Sequence, residues 1–99
     1  MAKFLERTAT ALLALAKDIE SHCECDPIPE DTFIEYDNRV RELAGSVPMC
    51  AVNGVMRASD LLYQASLWPH LDSTRYAYIE AATACLRNTA EVVAWLPER

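Results

Sequence analysis

The chain is poor in glycine and in long apolar runs, and these two shortages exclude several classes of protein. Gly45 and Gly54 are its only glycines, so it cannot build a glycine-rich loop of the kind that cradles phosphate groups. The longest apolar run covers residues 11–16, whereas a membrane-spanning helix needs about 20 apolar residues. The first residues mix charges of both signs and do not resemble a signal peptide, so we expect a cytoplasmic location and no membrane contact.

The sequence also lacks the strict two-residue alternation of apolar and polar side chains that is typical of a half-buried strand. Four segments instead repeat apolar residues at spacings of three and four, which predicts amphipathic helices. The predicted helices cover residues 3–23, 30–44, 48–68 and 73–96. Pro27, Pro29, Gly45 and Pro69 lie between them, where they would end or start a helix.

Because all three connections are short, neighbouring helices should be antiparallel. We therefore predict an all-α fold: a single-domain antiparallel four-helix bundle, up-down-up-down, over residues 1–99. The alternative is a pair of helical hairpins that completes its core only as a dimer.

The third segment has an ambiguous core face. We predict that its buried stripe consists of Val52, Val55, Met56, Ser59, Leu62, Tyr63 and Ser66. Gly54 interrupts the segment, and glycine inside a helix costs about 1 kcal/mol relative to alanine. We interpret Gly54 as a point where another helix comes close.

Cysteine and histidine are the residues that suggest metal or redox chemistry. His22, Cys23, Cys25 and His70 are expected at one end of the bundle, and their types suit Zn²⁺ or Cu⁺. Their spacing matches no structural zinc signature, and Cys50 belongs at the other end. We expect reduced thiols, no metal and no cofactor, and keep a metal-binding or redox module as an alternative.

No pattern in the sequence indicates catalysis. The apolar stripes carry no carboxylate, whereas enzymes built on small bundles usually hold metal ions with inward-facing acids. Neither histidine lies in a recognisable nucleophile signature. Arg39 and Arg41 are the only close basic pair, which is too little for a nucleic-acid recognition element. We expect a protein that is not an enzyme and does not bind nucleic acid directly.

The strongest signal is an excess of negative charge in one stretch. Between Lys17 and Arg39 there are eight carboxylates and no lysine or arginine. The net charge of the chain is −6, so this stretch contributes −8 and the remainder +2. A local field of one sign indicates a basic partner surface or a cation. The D-x-D-x-D-G pattern of a calcium loop is missing, which favours the basic partner.

We predict that the acidic stretch docks a basic surface of another protein. The predicted partner-binding residues are Glu20, Glu24, Asp26, Glu30, Asp31, Glu35 and Asp37. One concrete form is an inhibitor, encoded by a phage or mobile element, whose carboxylates replace phosphates in a nucleic-acid-binding channel. A solvated face without any partner explains the same residues. A further alternative is a homodimer or helical adaptor that uses an apolar patch of Leu13, Ile34, Trp68 and Trp95.

Overall fold

The computed structural model describes residues 2–23, 30–68 and 73–96, with side chains over 6–21, 31–68 and 73–96. Four helices fill most of this part of the chain: α1 (Ala2–Cys23), α2 (Glu30–Ala44), α3 (Met49–Ser66) and α4 (Ser73–Trp95). Their bounds agree with the predicted ranges to within two residues. None of these helices combines the length and the apolar character that crossing a bilayer requires.

The helices form the predicted antiparallel four-helix bundle. The contact of α4 with α3 and with α1 is extensive, α2 packs mainly on α3, and α1 and α2 share the smallest contact. The bundle is a rod of 46 × 20 × 19 Å. Its helices are staggered along the rod: Glu20, near the end of α1, pairs with Arg87 in the second half of α4. The first half of α4 therefore extends beyond the end of α1.

Apolar stripes from all four helices meet in one core. Its largest completely buried side chains include Leu12, Leu15, Ile19, Val40, Val55, Leu62, Leu86 and Val93. Burying a side chain of this size contributes about 1.5–3 kcal/mol, which is more than helix propensity supplies per residue. Packing of the stripes therefore stabilises the helices.

The buried face of α3 differs from the predicted one. Val55, Ser59 and Leu62 are buried as predicted, but Tyr63 is 61% exposed, so its assignment to the core was wrong. The small side chains of Ala51, Ala58 and Ala65 are buried on the side of α3 that also carries Gly54. Compared with the orientation that the predicted stripe implied, α3 is rotated about its axis. Its small residues therefore face α4, and Tyr63 points outward.

Gly54 lies where α3 and α4 come closest, as predicted. A β-carbon at position 54 would overlap Thr89 Oγ1 and lie 3.4 Å from Thr89 Cβ. The Thr89 hydroxyl donates a hydrogen bond to the Cys85 carbonyl at 2.7 Å, which holds the side chain in this orientation. Close packing at this point explains the rotation of α3.

Candidate protein-docking site

Two acidic side chains of α1 form ion pairs with arginines of other helices. The Asp18 carboxylate accepts a hydrogen bond from Arg39 of α2 at 3.0 Å, and the Asp18 carbonyl accepts one from the Tyr36 hydroxyl at 3.2 Å. Glu20, a predicted partner-binding residue, forms an ion pair with Arg87 of α4. These charged groups are 40–47% exposed, so each pair stabilises by at most about 1 kcal/mol. Their main effect is to neutralise negative charge.

Asp37 is also engaged within the chain. Its Oδ1 accepts a hydrogen bond from the Ser59 hydroxyl of α3, and its Oδ2 accepts one from Arg41 Nε at 3.0 Å. Ser59 is 2% exposed, so Asp37 supplies the partner that a buried hydroxyl needs. The Asp37 side chain remains 30% exposed between α2 and α3. A partner can therefore reach this carboxylate only from the outer side.

Within the acidic stretch and just beyond Arg39, the described acids without an ion pair form a row along the outer face of α2. Asp31 and Glu35 are one turn apart, and Asn38 and Glu42 continue the same face; all four are exposed. We call Asp31, Glu35 and Glu42 the acidic row. No ion pair joins these three carboxylates to any residue that the structure describes. The sequence prediction omitted Glu42, because it lies beyond Arg39, where the stretch without basic residues ends.

A groove of about 170 Å³ lies between α2 and α3. It is lined by Phe33, Ile34, Asp37, Leu62, Tyr63 and Ser66. Phe33 and Leu62 are buried and form its floor, whereas Ile34 and Tyr63 are 54% and 61% exposed and form its two sides. Asp37 provides the ionised group of this lining. The groove is therefore apolar with one carboxylate at its wall.

Helix α4 supports the floor of the groove through Arg75. The guanidinium carbon of Arg75 lies 4.7 Å from the centroid of the Phe33 ring, a distance typical of a cation–π contact. Arg75 is 6% exposed, and within the part of the chain that the structure describes its Nε has no hydrogen-bond partner. Arg75 therefore contacts a residue of the groove floor from α4.

The four residues of the predicted apolar patch do not form one surface. Leu13, Ile34, Trp68 and Trp95 are all exposed. Trp68 follows the end of α3 and Trp95 ends α4, and these helices are antiparallel, so the two rings lie near opposite ends of the rod. Trp95 lies in a shallow surface with Val92 and Leu96, far from the groove. Ile34 is the member of the predicted patch that lines the groove.

Several predicted site residues fall outside the part of the chain that is described. Glu24, Asp26, Cys25 and His70 lie in the segments between helices, and the side chains of His22, Cys23 and Glu30 are likewise outside the description. Within the described ranges, no group of three or more His, Cys, Asp or Glu side chains is placed to hold a metal ion. Cys50 and Cys85, which are described, are free thiols. The metal-binding alternative stays a prediction.

The acidic row and the groove lie on neighbouring faces of α2, which places exposed carboxylates beside an apolar groove. Of the groove residues, the sequence indicated only Ile34 and Asp37 as possible contacts; Phe33, Leu62, Tyr63 and Ser66 were predicted for the core, and the exposure of Tyr63 follows from the rotation of α3. Comparison of the chain with models of known protein families, with curated protein sequences and with solved structures gave no match.

Proposed function

We propose that this protein is a non-enzymatic interaction protein that docks a basic surface of another protein through the outer face of α2. The observation that supports this proposal is the acidic row: three exposed carboxylates on one helix face with no ion pair to a described residue. The other described acids between Lys17 and Arg39 are bound to arginines. The described carboxylates of the acidic stretch that are open to a partner therefore lie on α2, whereas the other exposed acids, Glu6, Asp60, Glu80 and Glu91, are spread over α1, α3 and α4.

Local structure explains only part of this row. Asp31 lies in the first turn of α2, where a negative charge interacts favourably with the helix dipole. Glu42 lies in the last turn, where the dipole disfavours it, and Asp31 and Glu35 repel each other one turn apart. Each of these unfavourable terms is about 0.2–1 kcal/mol. A basic partner surface would remove both.

A row of this kind acts mainly on the rate and specificity of association. Exposed carboxylates attract a basic surface over about one Debye length, roughly 10 Å at 0.1 M salt. The narrower hypothesis is that the protein is an inhibitor that places carboxylates in a nucleic-acid-binding channel. It makes a further prediction. Under that hypothesis the partner binds nucleic acid, and the protein competes with it for the same surface.

The test is a charge-neutral variant with a matched control. Asp31→Asn/Glu35→Gln/Glu42→Gln removes the acidic row. The control is Glu6→Gln/Glu80→Gln/Glu91→Gln, which removes three exposed carboxylates from α1 and α4. Both variants change the net charge from −6 to −3, because each removes three negative charges. Any difference between them reports the position of the charge and not its total.

The full-length proteins would be used to capture partners from the source lysate, and each partner's affinity would then be measured with purified components. We expect wild type and control to bind the same basic protein, and the row variant to lose it. Raising salt from about 0.1 M to about 1 M should weaken the wild-type complex, since the Debye length falls from about 10 to about 3 Å. Equal binding by all three proteins, insensitive to salt, would refute the proposal. Competition with nucleic acid for the captured partner would test the inhibitor hypothesis.

A further inference from the structure

We infer that the groove between α2 and α3 receives an apolar side chain from a basic amphipathic helix of the partner. This inference rests on the proposed function and adds to it the chemistry of the bound segment. That segment would present a large apolar residue, such as leucine, methionine or phenylalanine, with lysine or arginine on either side. Grooves between helices commonly bind partners in this way.

The groove has the size and lining for one such side chain. Its volume of about 170 Å³ resembles that of an apolar protein cavity of about 150 Å³ that holds a benzene molecule. The Phe33 and Leu62 floor is apolar, and the exposed parts of Ile34 and Tyr63 stand at its sides. An apolar side chain placed here would cover the floor and the exposed parts of Ile34 and Tyr63, which removes apolar surface from water.

The groove is maintained by packing elsewhere in the bundle. Close contact between Gly54 and Thr89 turns the small residues of α3 toward α4, and Tyr63 consequently points away from the core. On the α2 side, Asp37 is fixed by hydrogen bonds from Ser59 and Arg41. Because these contacts exist without a partner, the groove is already formed before binding, which reduces the ordering cost of association.

Charge selects a basic segment as the occupant. Residues 31–66, which build both sides of the groove, contain five carboxylates and three arginines, a net charge of −2. Asp37 lines the groove, the acidic row flanks it on α2, and the exposed Asp60 lies one turn before Tyr63 on α3. Lysine or arginine beside the anchoring side chain would therefore meet acids on both sides.

The same charge argues against a second copy of this chain as the occupant. A second copy carries a net charge of −6 and would bring its own acids against the acidic row. Like charges brought together at an interface oppose binding. A homodimer through the groove is therefore disfavoured, and the test below would reveal it if it formed.

The probe is a synthetic amphipathic helical peptide with leucines on one face and lysine and arginine on the flanks. Two control peptides replace either the central leucine by serine or the basic residues by glutamate. Binding to the full chain would be measured by titration calorimetry, and the contacted residues would be located by amide chemical-shift changes in NMR spectra.

The matched protein variants are Ile34→Ser in the groove and Leu13→Ser on α1, since these side chains are 54% and 48% exposed. Tyr63→Ser is a second groove variant. All three positions are exposed, and circular dichroism would verify that each variant keeps its helices. We expect both groove variants, and the peptide with serine, to bind at least about tenfold more weakly, as is typical of an interface hot spot. The Leu13→Ser variant should bind as wild type.

The outcomes separate this inference from the proposed function. If the peptide binds the Ile34→Ser and Tyr63→Ser variants as tightly as wild type but fails to bind the acidic-row variant, the groove inference is wrong and the proposed function stands. If the glutamate peptide binds equally well, or no peptide binds at about 1 mM, the inference is also wrong.

Self-association of wild type that Ile34→Ser abolishes and Leu13→Ser retains would show that a second copy occupies the groove. Full loss of binding in the groove variants with no effect of the acidic row would overturn the proposed function, and with it the basic character inferred for the occupant of the groove.

Discussion

At the scale of single residues, Arg75 is the side chain whose position is hardest to explain by stability. It is buried in the first turn of α4, where the helix dipole disfavours a cation. The face of Phe33 provides a favourable contact, and its Nε has no hydrogen-bond partner among the described residues. None of the described ion pairs includes Arg75, and a buried charge without a hydrogen-bonded counter-ion ordinarily costs several kcal/mol. The methylene stem of Arg75, in contrast, fills space in the core.

This leads to a prediction about two substitutions at position 75. We expect Arg75→Met to leave the free energy of unfolding unchanged or to raise it by up to about 2 kcal/mol, because methionine keeps the stem and removes the charge. Arg75→Ala should be less stable than Arg75→Met by about 2–3 kcal/mol, because it leaves a cavity beside Phe33. Urea denaturation of both variants would measure the difference. A loss of several kcal/mol in Arg75→Met would mean that the guanidinium is bound to an anion in the folded chain.

At the scale of elements, the packing of α3 on α4 decides which residues of α3 are buried. The contact between Gly54 and Thr89 leaves no room for a β-carbon at position 54. The Thr89 side chain cannot turn away without losing its hydrogen bond to Cys85. The helices would have to separate, or α3 would have to rotate, to accept any larger residue.

We therefore predict that Gly54→Ala lowers the free energy of unfolding by about 1–3 kcal/mol, even though alanine is the better helix former by about 1 kcal/mol. Removing the hydroxyl in Gly54→Ala/Thr89→Ala should recover part of this loss, with a coupling energy above about 0.5 kcal/mol. Gly45→Ala is the control, because the nearest atom to its added β-carbon is at 3.4 Å, an ordinary contact. If Gly54→Ala proved as stable as Gly45→Ala, the close approach of α3 and α4 would be contradicted.

The sequence predicted the helices but not the rotation of α3, and the reason is visible in that helix. Val52, Met56, Leu61 and Tyr63 are apolar on faces that turn away from the core centre, so periodicity alone could not choose the buried side. Which side of α3 is buried depends on the distance between α3 and α4. Gly54 indicates a close approach, but it does not determine that distance. In α1, α2 and α4, most of the apolar residues that recur at spacings of three and four are buried, among them Leu12, Val40 and Leu86, whereas Leu43, Ala44 and Leu96 are half-buried.

The acidic stretch shows a similar limit. Local density of charge was evident from the sequence, but the partners of Asp18 and Glu20 lie on other helices, in positions that only the assembled bundle defines. Because Asp18 and Glu20 form ion pairs, fewer carboxylates are open than the sequence predicted. The helical repeat of α2 places Glu42 on the same face as Asp31 and Glu35.

At the scale of the whole molecule, the contacts between helices are unequal. Helix α2 packs on α3 but shares little surface with α1, where Asp18 with Arg39 and Tyr36 provides the described hydrogen bonds. Helices α3 and α4 share the largest contact. Elements with less buried contact open more often than the bundle unfolds as a whole.

We predict from this that amide hydrogen exchange is fastest in α2 among the four helices. Amides near Phe33 and Tyr36 should exchange with a lower opening free energy than amides near Leu62 of α3 and Leu86 of α4. Exchange measured by NMR on the full chain would give each opening free energy. Equal protection of α2 and α4 would show that the bundle opens only as one unit.

The placement of Trp68 and Trp95 near opposite ends of the rod has a practical consequence. Each indole is partly exposed to water, at 40% and 86% respectively, so each would shift its emission to shorter wavelength if a ligand covered it. Helix α3, of 18 residues, separates the two ends by roughly 27 Å at 1.5 Å per residue. Replacing one tryptophan by phenylalanine leaves a reporter for the other end. The chain thus carries intrinsic fluorescent probes that can tell, without any attached label, which end a bound molecule covers.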